Sequence, residues 1–383
     1  MLPRIAGMQA SWASNVLALF LELVAVPSPP GSEREMADRV IGYLRDLGLE
    51  SVEDDAGVRV GSTAGNILAR LEPTDRGAGL PIFLCAHLDT VAPTGPIEPF
   101  VADGIVRNGA GTILGADNKA AVAAILEAAR LILSERRPHA GVELLFTVRE
   151  ETGCEGAGAF DHRSLAASVG FVYDHEGPIG ELVVAAPYQR TIDAVFKGRA
   201  AHAGISPEEG RSAILAAARA ISDLRLGRID AETTANVGTI EGGVARNVVP
   251  DRCRVVAEAR SRDEQKVEEL VGEIVDCLSF AAAVTECELE TQIGSKYPGY
   301  RLRLADLPVR LARSALGRAG FEMRAVESNG GADANVFNGR GLQCANLANG
   351  MARIHSAEEH IAVADLEAMV GVTLELVEAA RSA

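Results

Sequence analysis

Residues 81–89 read PIFLCAHLD, an apolar run of strand length that leads directly to His87 and Asp89. An apolar run without polar alternation is typical of a parallel strand that is covered on both faces. Open α/β sheets bind ligands outside the carboxyl ends of their strands, so polar side chains at this point indicate a ligand site. The stretch therefore predicts an α/β fold with a functional site at this edge of the sheet.

The same pattern recurs along the chain. Apolar runs over residues 142–148, 168–173 and 342–347 each lead to acids or a histidine, and an alanine-rich helix begins near residue 117. The polar residues at these points are Asp117, Glu150, Glu151, Asp174 and His355. We expect them to converge with His87 and Asp89 in one crevice. Two histidines among several carboxylates predict a metal site, with room for two ions.

Each feature also has a simpler explanation when it is taken alone. His87 and Asp89 could lie in an ordinary polar loop, and Asp117 could be a helix N-cap. The pair Glu150 and Glu151 could open a helix, where the helix dipole favours acids.

Two further assignments stay open at this level, because neighbouring residues compete for them. Asp174 is followed by His175 and Glu176, and His355 has a rival in His360.

Length and composition narrow the class of protein. A chain of 383 residues predicts two domains, and a net charge of −16 with 4% aromatic residues argues against nucleic-acid binding. Six cysteines without a CxxC pair favour reduced thiols over a disulfide framework. The apolar stretch at residues 16–26 is too short to span a membrane. We therefore expect a soluble cytoplasmic protein that binds no membrane.

The order of strand and helix signals predicts the domain organisation. The first half alternates strands with helices, which indicates a doubly wound sheet. Near Pro187 the order becomes β-α-β-β-α-β, the split βαβ or ferredoxin-like arrangement, and the first pattern resumes after Tyr300. We predict a catalytic domain in two parts, residues 1–188 and 298–383, with an inserted lid domain at residues 189–297.

Common hydrolase and nucleotide-binding motifs are missing from the sequence: it contains no HExxH, GxSxG, GxGxxG or P-loop. Eight other segments do resemble a known family when they are taken in order: FLCAHLDTV, GADNKAAVAAIL, FTVREETGCEGA, YDHEG, GRAAHAG, ARNVVP, GGADANVF and IHSAEE. They resemble the co-catalytic metallopeptidases that include peptidase T, glutamate carboxypeptidase and the aminoacylases. The likeness is closest to the peptidase T-like branch and runs from about Pro27 to the last helix.

The resemblance implies two divalent ions, usually zinc, with cobalt or manganese as alternatives. It implies that Asp117 bridges the ions and that the peptide bond before Asn118 is cis. One ion would also bind His87 and Asp174, and the other Glu151 and His355. Asp89 would support His87, and Glu150 would be the general base.

The resemblance also implies roles for the lid domain. The lid would form a homodimer, in which His202 stabilises the oxyanion in the partner subunit's site. Asn247 and Arg260 would bind the substrate carboxylate, while Gly330 and Gly331 would let the backbone approach the substrate. From its residues alone, His202 could equally be an exposed loop histidine.

These implications lead to one functional expectation and two rivals. We expect an aminopeptidase that acts on short peptides such as tripeptides. An aspartate at position 174, where carboxypeptidase members have glutamate, favours this activity. The rivals are an amidohydrolase or carboxypeptidase for N-acyl amino acids, and a non-catalytic peptide- or metal-binding relative. Cys154 and Ala332 depart from the family pattern and leave the implied metal set intact.

Overall fold

The computed structural model describes residues 6–74 and 79–383, with side chains considered from residue 15 onwards. The chain divides into two compact units. Unit 1 contains the described parts of residues 1–184 together with residues 301–327 and 332–383. Unit 2 contains residues 185–300 and 328–331. The short segment 328–331, which the predicted limits place in the catalytic domain, belongs to unit 2. The domain limits at residues 188/189 and 297/298 stay a prediction.

The described residues form the following strands, in chain order: β1 Ser51–Glu53, β2 Ile67–Leu71, β3 Ile82–His87, β4 Pro99–Ala102, β5 Ile105–Asn108, β6 Val142–Thr147, β7 Val169–His175, β8 Glu181–Ala186, β9 Tyr188–Lys197, β10 Gly227–Arg228, β11 Thr233–Gly242, β12 Arg252–Ser261, β13 Glu288–Ser295, β14 Tyr300–Arg301, β15 Arg324–Glu327, β16 Gln343–Ala348, β17 Met351–Ala352 and β18 His360–Ala362.

They also form the following helices: α1 Ala6–Val24, α2 Arg34–Asp46, α3 Ala56–Val60, α4 Ala116–Ser134, α5 Glu155–Ala159, α6 Ala213–Asp223, α7 Glu264–Val284, α8 Leu307–Ala319, α9 Asp333–Gly339 and α10 Val363–Arg381. Among the helices of the described residues, none combines the length and apolar character that a bilayer span requires.

Unit 1 is built on a mixed sheet in the order β1-β2-β6-β3-β7-β16-β8-β14, with β15 paired to β8. Strand β3 runs parallel to both β6 and β7, and β7 runs parallel to β16. All six residues of β3 and all six of β6 are buried. The uninterrupted apolar runs in the sequence therefore mark the centre of the sheet, as predicted.

Helices cover both faces of this sheet. Ile82 and Leu84 of β3 belong to a core shared with α4 and α10. Phe83, which points to the opposite face, meets Phe337 of α9 in an edge-to-face contact with ring centroids 5.1 Å apart. Alternate residues of one strand thus pack against different helical layers, as the doubly wound fold class requires.

Unit 2 is a separate antiparallel sheet in the order β10-β11-β12-β9-β13. Helices α6 and α7 pack on β9 and β12 around a core that includes Phe196 and Cys253. The element order is the predicted β-α-β-β-α-β, with the two-residue strand β10 added at one edge. The small residues of α6, mainly alanines, let this helix approach the sheet closely.

Candidate metal centre

The carboxyl ends of the central strands bring the predicted acids and histidines of unit 1 together. His87 ends β3, Glu150 and Glu151 follow β6, and Asp174 lies near the end of β7. Asp117 stands in the first turn of α4, and His355 lies in the loop between β17 and β18. Parallel neighbours end at the same edge of a sheet, so residues far apart in the sequence become neighbours here.

A first group of possible ligands contains His87, Asp117 and Asp174, whose donor atoms all lie within 4.8 Å of one another. The His87 Nε2 atom is 3.1 Å from Asp117 Oδ1 and 3.7 Å from Asp174 Oδ1. The three side chains are between 2% and 9% exposed, so this group is almost closed to solvent.

A second group contains Asp117 again, with Glu151 and His355. The His355 Nε2 atom is 3.3 Å from Asp117 Oδ2 and 3.0 Å from Glu151 Oε2. Asp117 therefore directs one oxygen at each group, the arrangement that a bridging carboxylate needs. The peptide bond between Asp117 and Asn118 is cis, as the resemblance implied.

Asp89 fixes both the imidazole of His87 and the backbone after β6. The His87 Nδ1 atom lies 2.9 Å from the Asp89 carbonyl oxygen and 3.5 Å from its carboxylate. A carbonyl can only accept, so Nδ1 carries a proton and Nε2 is the ring nitrogen that faces the group, where it holds either a second proton or a cation. The Asp89 carboxylate accepts hydrogen bonds from the backbone N–H groups of Glu150 and Glu151, at 2.9 and 3.1 Å.

The electrostatics of the cluster favour positive charge. Burial lowers the pKa of His87, but the carboxylates of Asp117 and Asp174 outweigh burial and raise that pKa well above its usual range. Hydrogen bonds to Asp117 and Glu151 raise the pKa of His355 to about 10. Burial raises the pKa of both Asp174 and Glu151. Each of the two ligand groups, taken as a whole, therefore binds protons more strongly than isolated side chains would, and a cation can take the place of those protons.

One unpaired carboxylate oxygen indicates that metal ions fit these ligand groups. The Oε1 atom of Glu151 is buried and has no hydrogen-bond partner within the described residues. An unsatisfied carboxylate oxygen is costly in a protein interior, and a divalent ion at the second group would satisfy it. The imidazole and carboxylate donors are also those of known zinc sites. The residues present therefore fit two divalent ions.

Glu150 lies beside the two groups without belonging to either. Desolvation and the charge of Asp174 raise the pKa of Glu150 well above its usual range. Its Oε1 atom accepts a hydrogen bond from the Cys154 thiol, with a sulfur-to-oxygen distance of 3.2 Å. Adjacent residues after the strand thus have different surroundings, with Glu151 facing His355 and Glu150 facing Cys154.

The structure also separates the candidates that the sequence left open. His175 pairs with Glu181 at 3.6 Å, and Glu176 accepts a hydrogen bond from the Arg353 backbone. His360 Nδ1 meets the carbonyl oxygen of Glu358. Of these competing candidates, Asp174 and His355 are the ones that belong to the two groups.

Sequence reasoning missed the residues that hold these ligands in place. The buried carboxylate of Glu359 accepts hydrogen bonds from the backbone N–H groups of Leu114, Gly115 and Asp117, at 2.7, 2.8 and 3.0 Å. It therefore ties the loop that carries His355 to the turn that carries Asp117.

Asn346 of β16 was also missed. It bonds both backbone groups of Asp174, accepting from its N–H at 2.9 Å and donating to its carbonyl at 2.8 Å. An asparagine inside an apolar strand was the available signal.

The predicted lid residues lie in unit 2. His202 and Asn247 are exposed, and their backbones adjoin, because Ala203 N–H donates to the Asn247 carbonyl at 3.0 Å. Arg260 forms a two-pronged pair with Glu258, at 2.9 and 3.0 Å.

Gly330 and Gly331 differ from each other. Gly330 is exposed. A Cβ atom at Gly331 would lie 2.1 Å from the ring of Tyr297, so the packing of this tyrosine by itself requires glycine at that position.

Comparisons with known proteins identify the family of the chain. Residues 190–286 match the family described as Peptidase dimerisation domain, and residues 66–180 match Peptidase family M28. The crystal structure of aminopeptidase PepT from Bacillus cereus is 38% identical, with a TM-score of 0.84, covering 96% of this chain and 98% of that one. A tripeptidase structure from Staphylococcus aureus is 32% identical, with a TM-score of 0.89, covering 97% and 99%. Peptidase T of Escherichia fergusonii is 26% identical, covering 70% of this chain and 66% of that protein.

The fold, the site and these relatives define a metallopeptidase, an enzyme that hydrolyses peptide bonds. The chain belongs to the peptidase T-like M20 family.

Proposed function

We propose that this chain is a two-metal aminopeptidase that acts on short peptides, tripeptides in particular. The observation that carries the proposal is the division of Asp117 between two histidine-containing groups. Glu150 belongs to neither group, but it precedes Glu151 in the chain and experiences the charge of Asp174. The names of the Bacillus cereus and Staphylococcus aureus relatives support the substrate class.

We assign one ion to His87, Asp117 and Asp174, and the other to Asp117, Glu151 and His355. Imidazole with carboxylate suits zinc, while cobalt and manganese are the alternatives that metal analysis would distinguish. When bound, such ions polarise a carbonyl oxygen and lower the pKa of a water molecule.

Glu150 is the general base in this proposal. It takes a proton from the water that attacks the peptide carbonyl and returns the proton to the leaving amine. Asp89 supports this role because it holds the backbone of Glu150 and Glu151, so that the two carboxylates diverge. The raised pKa of Glu150 suits a group that must first accept a proton and then release it.

The lid supplies the substrate contacts. His202 donates a hydrogen bond to the carbonyl oxygen as negative charge develops there. Asn247 and Arg260 bind the carboxylate of the peptide, which must compete with Glu258 for the Arg260 guanidinium. Gly330 allows the substrate to approach the backbone, and Gly331 is retained for the packing of Tyr297.

We also propose that the chain forms a homodimer through the lid, with His202 serving the partner's site. The match of residues 190–286 to a dimerisation domain supports this assembly. Light scattering on the purified protein would report one chain or two. Location in the cytoplasm stays a prediction, which the six free thiols support.

One assay separates this function from its rivals. Metal-loaded protein is incubated with free tripeptides, N-blocked tripeptides and N-acyl amino acids, with and without a chelator. We expect cleavage of the free tripeptides only, and loss of that activity with the chelator. Cleavage of N-acyl amino acids would instead identify an amidohydrolase, and no chelator-sensitive turnover of any substrate would favour a non-catalytic relative.

A further inference from the structure

A third set of donor atoms lies in unit 1 beside the general base. Glu150, Cys154 and Asp333 each present one donor atom, and these atoms all lie within 4.8 Å of one another. Cys154 is 1% exposed and Asp333 is 2% exposed. This set shares no residue with the two groups assigned above, and it differs from them in containing sulfur.

The backbone holds the Cys154 thiol against Glu150. The chain after β6 turns back on itself, with the N–H groups of Gly153 and Cys154 both donating to the Glu150 carbonyl at 2.8 Å. Cys154 has φ 56° and ψ 35°, the left-handed conformation that non-glycine residues seldom adopt. This turn places the sulfur 3.2 Å from Glu150 Oε1.

Asp333 provides an independent indication of a ligand. Its Oδ2 atom accepts a hydrogen bond from the Thr147 hydroxyl at 2.5 Å and lies 3.8 Å from the Cys85 sulfur. Its Oδ1 atom is buried and has no hydrogen-bond partner in the described part of the chain. A buried carboxylate oxygen left unpaired next to a second carboxylate is a place where a cation would be stabilised.

We propose that Glu150, Cys154 and Asp333 form a third cation site, specific for thiophilic divalent ions such as zinc or cadmium, whose occupation inhibits the enzyme. On binding, the thiol releases its proton to solvent and the sulfur bonds the ion. Zinc bonds of about 2.0–2.3 Å in tetrahedral geometry separate donor atoms by roughly 3.3–3.8 Å. The distance between the Cys154 sulfur and Glu150 Oε1 is already close to that separation.

Inhibition follows if Glu150 is the general base, and this part of the inference rests on the proposed function. A carboxylate that coordinates a divalent ion is a much weaker base, because the positive charge of the ion disfavours the binding of a proton. Thiolate ligands select zinc and cadmium over manganese and magnesium. Excess zinc should therefore inhibit the protein when two ions are already in place, whereas excess manganese should not.

Cadmium gives a readout that does not depend on activity. The protein loaded with two equivalents of zinc is titrated with cadmium while the ultraviolet absorption of the cadmium–thiolate bond is followed, and bound metal is counted after equilibrium dialysis. The two groups assigned above contain only histidine and carboxylate, so ions there give no thiolate band. We expect one further equivalent and one thiolate band in the wild type.

Two variants and one control locate the site. C154A and D333N should lose the third equivalent and the band, and excess zinc should inhibit them at least about tenfold more weakly. C253A removes a thiol that is equally buried but lies in unit 2, and it should behave as the wild type does.

Three results would overturn the site: no thiolate band in the wild type, a band that persists in C154A, or a third equivalent that D333N retains. If E150Q keeps its turnover, the proposed role of Glu150 is wrong. The band in the wild type would still report the cation site independently.

Discussion

The two candidate ligand groups share Asp117 but differ in their access to solvent. The side chains of His87 and Asp174 are 2% and 9% exposed, whereas that of His355 is 48% exposed. His87 and Asp174 lie at the ends of buried strands. His355 lies on a loop, and its own φ is positive, at 61°. Two of the three side chains of the first group therefore lie on the central sheet, while the second group depends on a loop that Glu359 ties down. We infer that the ion at the His355 group exchanges faster.

The largest expected effect comes from Glu150→Gln, because this variant removes the base and leaves both groups complete. We expect kcat to fall by about 10²–10⁴-fold, the range typical of a lost general base. The metal content, measured by mass spectrometry of the dialysed protein, should stay at the wild-type value. Turnover at the wild-type rate would refute the assignment of Glu150.

The comparison between the two histidines can be tested directly with His87→Ala and His355→Ala. His355→Ala should lower the affinity for one ion by at least about a hundredfold and leave the other ion bound, since it removes a half-exposed ligand from one group only. His87→Ala opens a cavity among buried carboxylates and should also lower the melting temperature. Isothermal titration with zinc and thermal scans measure both effects, and equal behaviour of the two variants would show that the groups do not differ.

The role of Glu359 can be tested with its neighbour Glu358 as the control. Glu359→Gln weakens the three backbone hydrogen bonds that tie the His355 loop to Asp117, so we expect metal affinity to fall about 10–100-fold. Glu358→Gln changes an exposed neighbour of the same chemistry and should have little effect on the affinity. A competitive chelator assay reports both affinities. Similar values for the two variants would mean that Glu359 does not position the ligands.

The smallest expected effect is the pH dependence of the stability of the metal-free protein. Burial raises the pKa of Asp174 and Glu151, and that of Asp333 to about 7, so the folded protein binds protons more strongly than the unfolded chain. Stability from these groups is complete below the ordinary carboxyl pKa and is lost as the pH rises through the raised values.

We therefore expect the melting temperature of chelated protein to fall by a few degrees between about pH 5 and about pH 8. Protein loaded with zinc should change less over the same range, because the ions replace the protons. The lowered pKa of Asp117 has the opposite sign and acts only in strong acid. A melting temperature that rises over this range in the chelated protein would contradict the raised pKa values of these buried carboxyl groups.

Most residues of the candidate metal centre could be predicted from the sequence, because they follow apolar strands and parallel strands end at a common edge of the sheet. This rule predicts that His87, the pair Glu150 and Glu151, and the residues that end β7 lie near one another. It does not choose Asp174 over His175 and Glu176. The choice of His355 over His360 does not, since both lie in one segment and the position of each depends on long-range packing.

Positioning residues were harder to predict than ligands. Glu359 acts on backbone groups more than 200 residues earlier in the chain, and nothing in its local sequence reveals those partners. The pairing of Arg260 with Glu258 was also unforeseen, because two charges two residues apart meet only when an extended strand places them on the same face.

The number and release kinetics of ions bound to the wild-type protein test the central claim most directly. Zinc-loaded, dialysed protein is mixed with a chelating dye, and the zinc released per chain is followed over time. Two bridged but unequal groups predict two ions per chain, released in two phases of equal amplitude, with the faster phase absent from His355→Ala. One ion per chain, or two ions released in a single phase, would contradict the division of Asp117 between a buried and an exposed metal site.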